Sequence, residues 1–112
     1  MPDSWLTLLP ADLAARSLSR TEIVLPLEDA VRAVQHLATE GRRIESWDGW
    51  VQFADGGRTH SLVHTGSFAL PMDAAESART TVAQMQAAQA KWNRMPEYPG
   101  ASLFFCVSPA AV

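Results

Sequence analysis

His60 and His64, with Asp48 and Asp55 close by in sequence, are the residues whose types could do chemistry, since imidazoles and carboxylates together hold metal ions or move protons. Their spacing limits both uses. The surrounding sequence is strand-like, and on a strand residues four apart share a face but lie about 13 Å apart along it, too far to ligate one ion directly. The H-x-x-x-H spacing serves metals mainly on a helix, and Gly56-Gly57 before it and Gly66 after it argue against one. A ribonuclease-type pair needs two imidazoles converging on one phosphate, which this spacing does not promise. Gly56-Gly57 has neither a G-x-G-x-x-G nor a G-K-[ST] context and precedes a strand, so it is not a phosphate cradle. Ser61 and Ser67 lie beside histidines but in no G-x-S-x-G elbow. The sequence therefore offers no specific catalytic motif, and neither a metal nor a cofactor is expected.

Residues 47–70 nevertheless concentrate two of the four tryptophans, two of the three histidines and four of the six glycines. Trp50, Val51 and Phe53 form a β-prone run, Asp55-Gly56-Gly57 is a turn signal, and Thr59 to Thr65 returns through Leu62 and Val63, which reads as a β-hairpin. Gly66 is expected to break the run. Asp48-Gly49 is expected to make a tight reversal, adding a third strand, or to place a bulge, with Gly49 supplying a positive φ. A tight turn there would bring the indoles of Trp47 and Trp50 together beside an anionic side chain. The pair then reads either as a cap on the core or as a surface anchor, because aromatic residues ringed by charge dominate protein interfaces.

The elements that must position this stretch are legible on either side. Over residues 27–40, Leu27, Ala30, Val31, Val34, Leu37 and Ala38 recur at three- and four-residue intervals, the pattern of an amphipathic helix. Pro26 suits its entry, Glu28 and Asp29 its first turn, and Gly41 its exit. His36 lies off the centre of the stripe, as a surface histidine. After Pro71, Asp73 and Glu76 have the form of a capping box, and Ala75, Ala78, Val82, Met85, Ala88 and Trp92 trace one face of a helix over residues 73–94. Met95 to Gly100 is a turn-rich connection. Residues 102–108 have the continuous apolar character of a strand buried on both faces, placed mid-sheet, with residues 109–112 as tail. Nearer the N-terminus, residues 10–16 suggest a short helix and 22–25 a short strand, in a segment that wraps the body.

Composition bounds the class. The chain has 112 residues, 47% apolar and 19% charged, with no internal repeat or linker, and one α+β domain over residues 1–112 is expected. The expected architecture is an antiparallel or mixed sheet of about four to five strands with two helices packed on it. A net charge of −3 and a pI near 5.5 argue against direct nucleic-acid binding and allow a basic partner. The single cysteine, Cys106 in Leu103-Phe104-Phe105-Cys106-Val107, rules out an internal disulfide and reads as an inert core thiol, which fits a reducing cytoplasm. The N-terminus, with Asp3, no basic region and an apolar run broken by Pro10, does not read as a secretory signal, and no run has the length of a membrane span.

The order of the central elements resembles that of small immunity proteins of bacterial polymorphic-toxin and contact-dependent inhibition systems. In that family an Ala- and Leu-bearing helix leads into G-W-x-G-W, a D-G turn, G-H-S, Q-G-T and a closing F-C-[IV] strand. Here these stand as the helix with Ala30 and Leu37, then Trp47-Asp48-Gly49-Trp50, Asp55-Gly56, His60-Ser61, Gly66 and Phe105-Cys106-Val107. The chain departs at Ser46, Thr59, Thr65 and Ser67. The resemblance covers residues 25–108 and implies an α+β fold and a noncatalytic protein that binds a cognate toxin domain, nucleases being prominent among such toxins.

Three expectations follow. In the first, the chain is an immunity protein that binds and neutralises a cognate secreted toxin domain in the bacterial cytoplasm, through Trp47, Asp48, Trp50, Asp55 and His60. In the second it is a small hydrolase or nuclease, which requires His60, His64 and Asp48 to converge. In the third it binds a small ligand in a tryptophan-lined pocket between sheet and helix, which requires a sizeable cavity.

Overall fold

Residues 4–68 and 72–110 are described by the computed structural model. Met1, Pro2 and Asp3, Ala69, Leu70 and Pro71, and the tail residues Ala111 and Val112 lie outside the described residues. A 3-10 turn, Trp5–Leu8, and a short helix α1, Ala11–Ala14, lead into strand β1, Ile23–Leu25. Helix α2, Leu27–Thr39, is followed by strands β2, Ile44–Gln52, and β3, Arg58–Ser67. Helix α3, Ala74–Arg94, and strand β4, Ser102–Pro109, complete the order. The four strands form one sheet in the order β1-β4-β2-β3, with every neighbouring pair antiparallel, so the class is α+β.

Each boundary has a local cause. Pro26 caps α2 in an extended conformation, where its missing N–H costs nothing. Gly41 ends it at φ 74°, with Gly41 N–H donating to Ala38 O at 3.0 Å and Arg42 N–H to Leu37 O at 2.8 Å, the two bonds of a Schellman ending. At the start of α3 the Asp73 carboxylate accepts from Glu76 N–H at 2.7 Å. The hairpin turn is closed by Phe53 N–H to Gly57 O at 2.7 Å and by Gly57 N–H to Asp55 Oδ1 at 2.9 Å, and Gly56 takes the left-handed conformation.

Both longer helices lie on one face of the sheet. Ala30, Ala33, Val34 and Leu37 of α2 and Ala78, Met85, Ala88 and Trp92 of α3 join Ile23, Leu25, Ile44, Trp47, Val51, Leu103, Phe105 and Val107 in one buried cluster. Leu9 and Leu13 complete it, and Arg16 pairs with Asp29 at 3.0 Å, which seats the N-terminal segment beside α2. The free edge of β1 is covered by that segment: Leu18 N–H donates to Val24 O at 2.9 Å, and Val24 N–H to Ser17 Oγ at 3.0 Å.

The buried stripe of α3 is rotated from the expected one. Ser77 and Thr81 are fully buried, while Ala75 is exposed and Val82 half-buried. The reason is a polar demand of the sheet: Ile44 N–H at the start of β2 donates to Ser77 Oγ at 3.0 Å, and the Ser77 hydroxyl donates to Ala74 O at 3.1 Å. A hydroxyl therefore occupies a position that a purely apolar pattern assigns to the rim.

Asp48-Gly49 makes no reversal. β2 runs straight through it, and the irregularity lies in β3, where Asp48 pairs with Thr65 and Trp50 with His60, so that the four residues Ser61, Leu62, Val63 and His64 stand opposite Gly49 alone. Nor does Gly49 supply a positive φ, which among the described residues belongs to Gly41, Gly56 and Gly100. It supplies room: a Cβ at Gly49 would lie 2.9 Å from the His64 carbonyl oxygen and 3.1 Å from the Cβ atoms of His64 and Ser61. Gly66 does not break the strand either, since it pairs with Trp47 inside β3. Pro109, expected in a tail, is the last residue of β4, and Ala110 N–H donates to Arg43 O at 2.8 Å.

Two substitutions test this packing. Gly49→Ala should destabilise the fold by about 2 kcal/mol or more, because a backbone carbonyl cannot move aside as a flexible side chain can. Ser77→Ala should cost about 1–3 kcal/mol by leaving the buried Ile44 N–H without an acceptor. Chemical denaturation of both variants checks these values, and an unchanged midpoint for Gly49→Ala would refute the close contact.

Candidate functional site

The alternation of β2 divides the expected site residues between two faces. Trp47, Gly49 and Val51 are buried towards the helices, while Asp48, Trp50 and Gln52 occupy the opposite face. Trp47 is 2% exposed, so it belongs to the core and not to a contact surface. Its indole packs against Phe105 with ring centroids 5.6 Å apart, and its Nε1–H donates to Gln84 Oε1 of α3 at 2.8 Å. Gly66 lies directly beneath that bond, where a Cβ would collide with both Trp47 Nε1 and Gln84 Oε1. The two indoles thus stand on opposite faces of the sheet.

On the outer face Trp50 is half-buried and meets the exposed His60 edge-on, with ring centroids 5.1 Å apart. Asp48, exposed on the same face, accepts from the Thr65 hydroxyl at 2.8 Å. Half-buried Phe104 of β4 pairs with Trp50 in register. Asp55 stands apart at the hairpin tip, where its carboxylate holds the turn. Of the five residues expected to bind a partner, then, Asp48, Trp50 and His60 share one surface, Asp55 shapes the turn beside it, and Trp47 holds the core behind it.

Cys106 lies beside Asp48 in register and is almost fully buried. Burial raises its pKa far above the usual thiol range. The charge of Glu22, its hydrogen bond with the thiol at 3.4 Å and the charge of Asp48 all add to that rise. The thiol is therefore held protonated, the opposite of what a nucleophile needs.

His64 lies on the helix side of the sheet. The bulge carries it over Gly49, 5% exposed, with its ring 6.2 Å from that of Trp92 in an edge-on arrangement. Strand alternation alone would place His60 and His64 on one face, but the additional residues of the bulge move them to opposite faces. His60, His64 and Asp48 therefore share no cleft, and the convergence that acid/base catalysis requires is absent for this trio. Among the described residues, no group of three or more metal-ligating side chains comes together.

The residue that organises the bulge, Glu97, lies 36 positions from Ser61, and no local pattern announces it. Its carboxylate accepts from the Ser61 hydroxyl at 2.6 Å and from Leu62 N–H at 3.1 Å. Ser61 Oγ in turn accepts from the backbone N–H groups of Val63 at 3.3 Å and His64 at 3.0 Å. Ser61, His64 and Glu97 have the residue types of a hydrolytic triad, but the Ser61 hydroxyl donates to Glu97 and the imidazole lies edge-on to Trp92, so the serine–imidazole hydrogen bond of a triad is not formed. At the clamp Leu62 and Val63 turn outward, to 82% and 58% exposure.

Desolvation lowers the pKa of His64; the Glu97 carboxylate opposes this and the Lys91 ammonium reinforces it. Because the folded value lies below the unfolded one, the unfolded chain takes up the proton first as pH falls. Stability should therefore be unaffected by this group above its ordinary pKa of 6.5 and should decrease as pH drops from there towards the folded value. Thermal unfolding followed from about pH 7.5 to about pH 5 should show a steeper decline for the wild type than for His64→Gln, and parallel curves would contradict the burial. Glu97→Gln should speed amide exchange at Leu62, Val63 and His64, since a neutral amide is a weaker acceptor than a carboxylate.

No known protein-family model matches the chain, and no curated protein is similar enough to count as a relative.

Proposed function

We propose that this protein is an immunity protein, binding and neutralising a cognate secreted toxin domain of a bacterial polymorphic-toxin or contact-dependent inhibition system in the cytoplasm, with nuclease as the first toxin activity to test. The observation that carries the reading is the outer sheet face, where half-buried Trp50 meets the exposed His60 and shares the face with the exposed Asp48. An aromatic anchor ringed by polar and charged groups is the composition of an interface hot spot. The separation of His60, His64 and Asp48 favours binding over catalysis by this set of side chains. A net charge of −3 suits capture of a basic toxin, because complementary fields speed association. No described helix is long and apolar enough to cross a membrane.

The arrangement also ranks the residues. Trp50, Asp48 and His60 are available to a partner, Asp55 acts through the shape of the hairpin tip, and Trp47 acts only through the core. With the toxin domain encoded beside this chain, Trp50→Ala should weaken binding by about 2 kcal/mol or more, and Asp48→Ala and His60→Ala by less. Calorimetry on variants with unchanged circular dichroism checks this, and growth rescue of cells expressing the toxin domain provides the cellular measurement. Unchanged affinity for all three variants would remove the outer face as the binding surface, and turnover of a substrate by the purified chain alone would remove the inhibitor reading.

A further inference from the structure

An open groove of about 350 Å³ runs between β3 and α3, on the helix side of the sheet and away from Trp50. Trp47, Val63, His64 and Thr65 line it from the strands, and Gln84 and Lys91 from the helix. The indole of Trp47 has only an N–H to offer, so the Gln84 amide must turn its oxygen towards it, as the 2.8 Å contact records. That orientation leaves the Gln84 NH₂ as a donor with no acceptor among the described residues. Lys91 is exposed and forms no ion pair among the described residues. His64 is 95% buried (its exposure is 5%), yet its ring nitrogens make no hydrogen bond among the described residues. Among the described residues the fully buried side-chain polar atom without a partner is Thr81 Oγ1, whereas the His64 nitrogens are not sealed from solvent and the ring lines the open groove.

These groups share one chemical character. An ammonium and an amide NH₂ are donors, a neutral imidazole offers one N–H beside its acceptor nitrogen, and no carboxylate of the described residues lines the groove. Glu97, whose charge acts on His64, is committed to Ser61 and Leu62. Val63, Ala87 and Ala88 supply apolar wall between the donors. A ligand suited to this lining carries oxygen acceptors, a negative charge and a short aliphatic body. One free cation balances a monoanion, whereas a phosphate ester bears a charge of about −1.5 to −2 and would enter a chain that is itself net acidic.

We infer that the β3–α3 groove is a carboxylate-binding site, taking an acidic side chain of a protein partner, with Lys91 supplying the charge and Gln84 and His64 the hydrogen bonds. Trp47 is then a positioning residue, because its indole fixes which end of the Gln84 amide faces the groove. The inference stands on different residues from the proposed inhibitor surface and does not depend on it.

The test is a titration of the ¹⁵N-labelled full chain with N-acetyl-glutamate N-methylamide, whose only charge is the side-chain carboxylate, followed by amide spectra. The glutamine analogue and inorganic phosphate serve as comparison ligands. The expected result is a saturable shift of the Val63, His64 and Thr65 amides and of the Gln84 NH₂, with a Kd of about 1–10 mM for so small a ligand. The glutamine analogue should give no saturable shift. Lys91→Gln, at an exposed position where the fold should be retained, should weaken the carboxylate about threefold or more. In the complex His64 should titrate at higher pH than in the free chain, because a carboxylate then joins Glu97 in opposing Lys91 and burial. Equal shifts with the glutamine analogue, no effect of Lys91→Gln, or tighter binding of phosphate than of carboxylate would each overturn the assignment.

Discussion

Where the β3 bulge crosses β2, backbone packs directly on backbone: the His64 carbonyl lies so near Gly49 that even a methyl group there would sit within 2.9 Å of it. Strand pairing normally keeps a fixed count on both sides, and here four residues are accommodated against one because that one has no side chain. The contact sets the parity of everything that follows in β3. It places His64 on the helix side and His60 on the solvent side, and it pushes Leu62 and Val63 outward at the sheet edge. Glu97 holds the excursion from the other end by taking the Leu62 N–H and the Ser61 hydroxyl, which also blunts an edge that would otherwise offer a free donor to another strand.

Around this contact the core is built from apolar burial with a few polar bonds at chosen points. Trp47 to Gln84 and Ile44 to Ser77 both tie β2 to α3, and both satisfy a donor that burial would otherwise leave unpaired. Glycine at 66 and small residues along α3 let the helix approach closely enough for those bonds to form. Thr81 shows the cost of the same closeness, since its buried hydroxyl has no partner among the described residues. The polar links orient the helix, and the area hidden by Leu37, Met85, Trp92 and Phe105 supplies most of the driving force.

Two surfaces emerge with opposite chemistry. The outer face combines an aromatic ring with the Asp48 carboxylate and a solvent-exposed imidazole, while the β3–α3 groove presents the Lys91 ammonium and the Gln84 amide beside the His64 imidazole, with no carboxylate among its described lining residues. They are linked through β2, whose alternate residues face each side, so Trp47 and Trp50 are neighbours in sequence with separate roles. Burial acts on a titratable group at each: it raises the pKa of Cys106, as do the charges of Glu22 and Asp48, and it lowers that of His64, as does Lys91.

The sequence by itself determined the helices over residues 27–40 and 73–94, the hairpin turn at Asp55-Gly56-Gly57 and the buried strand at Leu103 to Val107, because periodicity, caps and turn residues act over a few neighbouring positions. It also brought Asp48, Trp50 and His60 forward as a group, since hairpin partners are close in both chain and space. Only the tertiary structure decided that Trp47 is core, that the two histidines part company, and that Gln84, Lys91 and Glu97 meet β3. Those outcomes rest on contacts across 36 or 37 residues and on a glycine chosen for space and not for its φ. A pattern read along one strand cannot count residues inserted opposite it, and each uncounted residue exchanges one face of the sheet for the other.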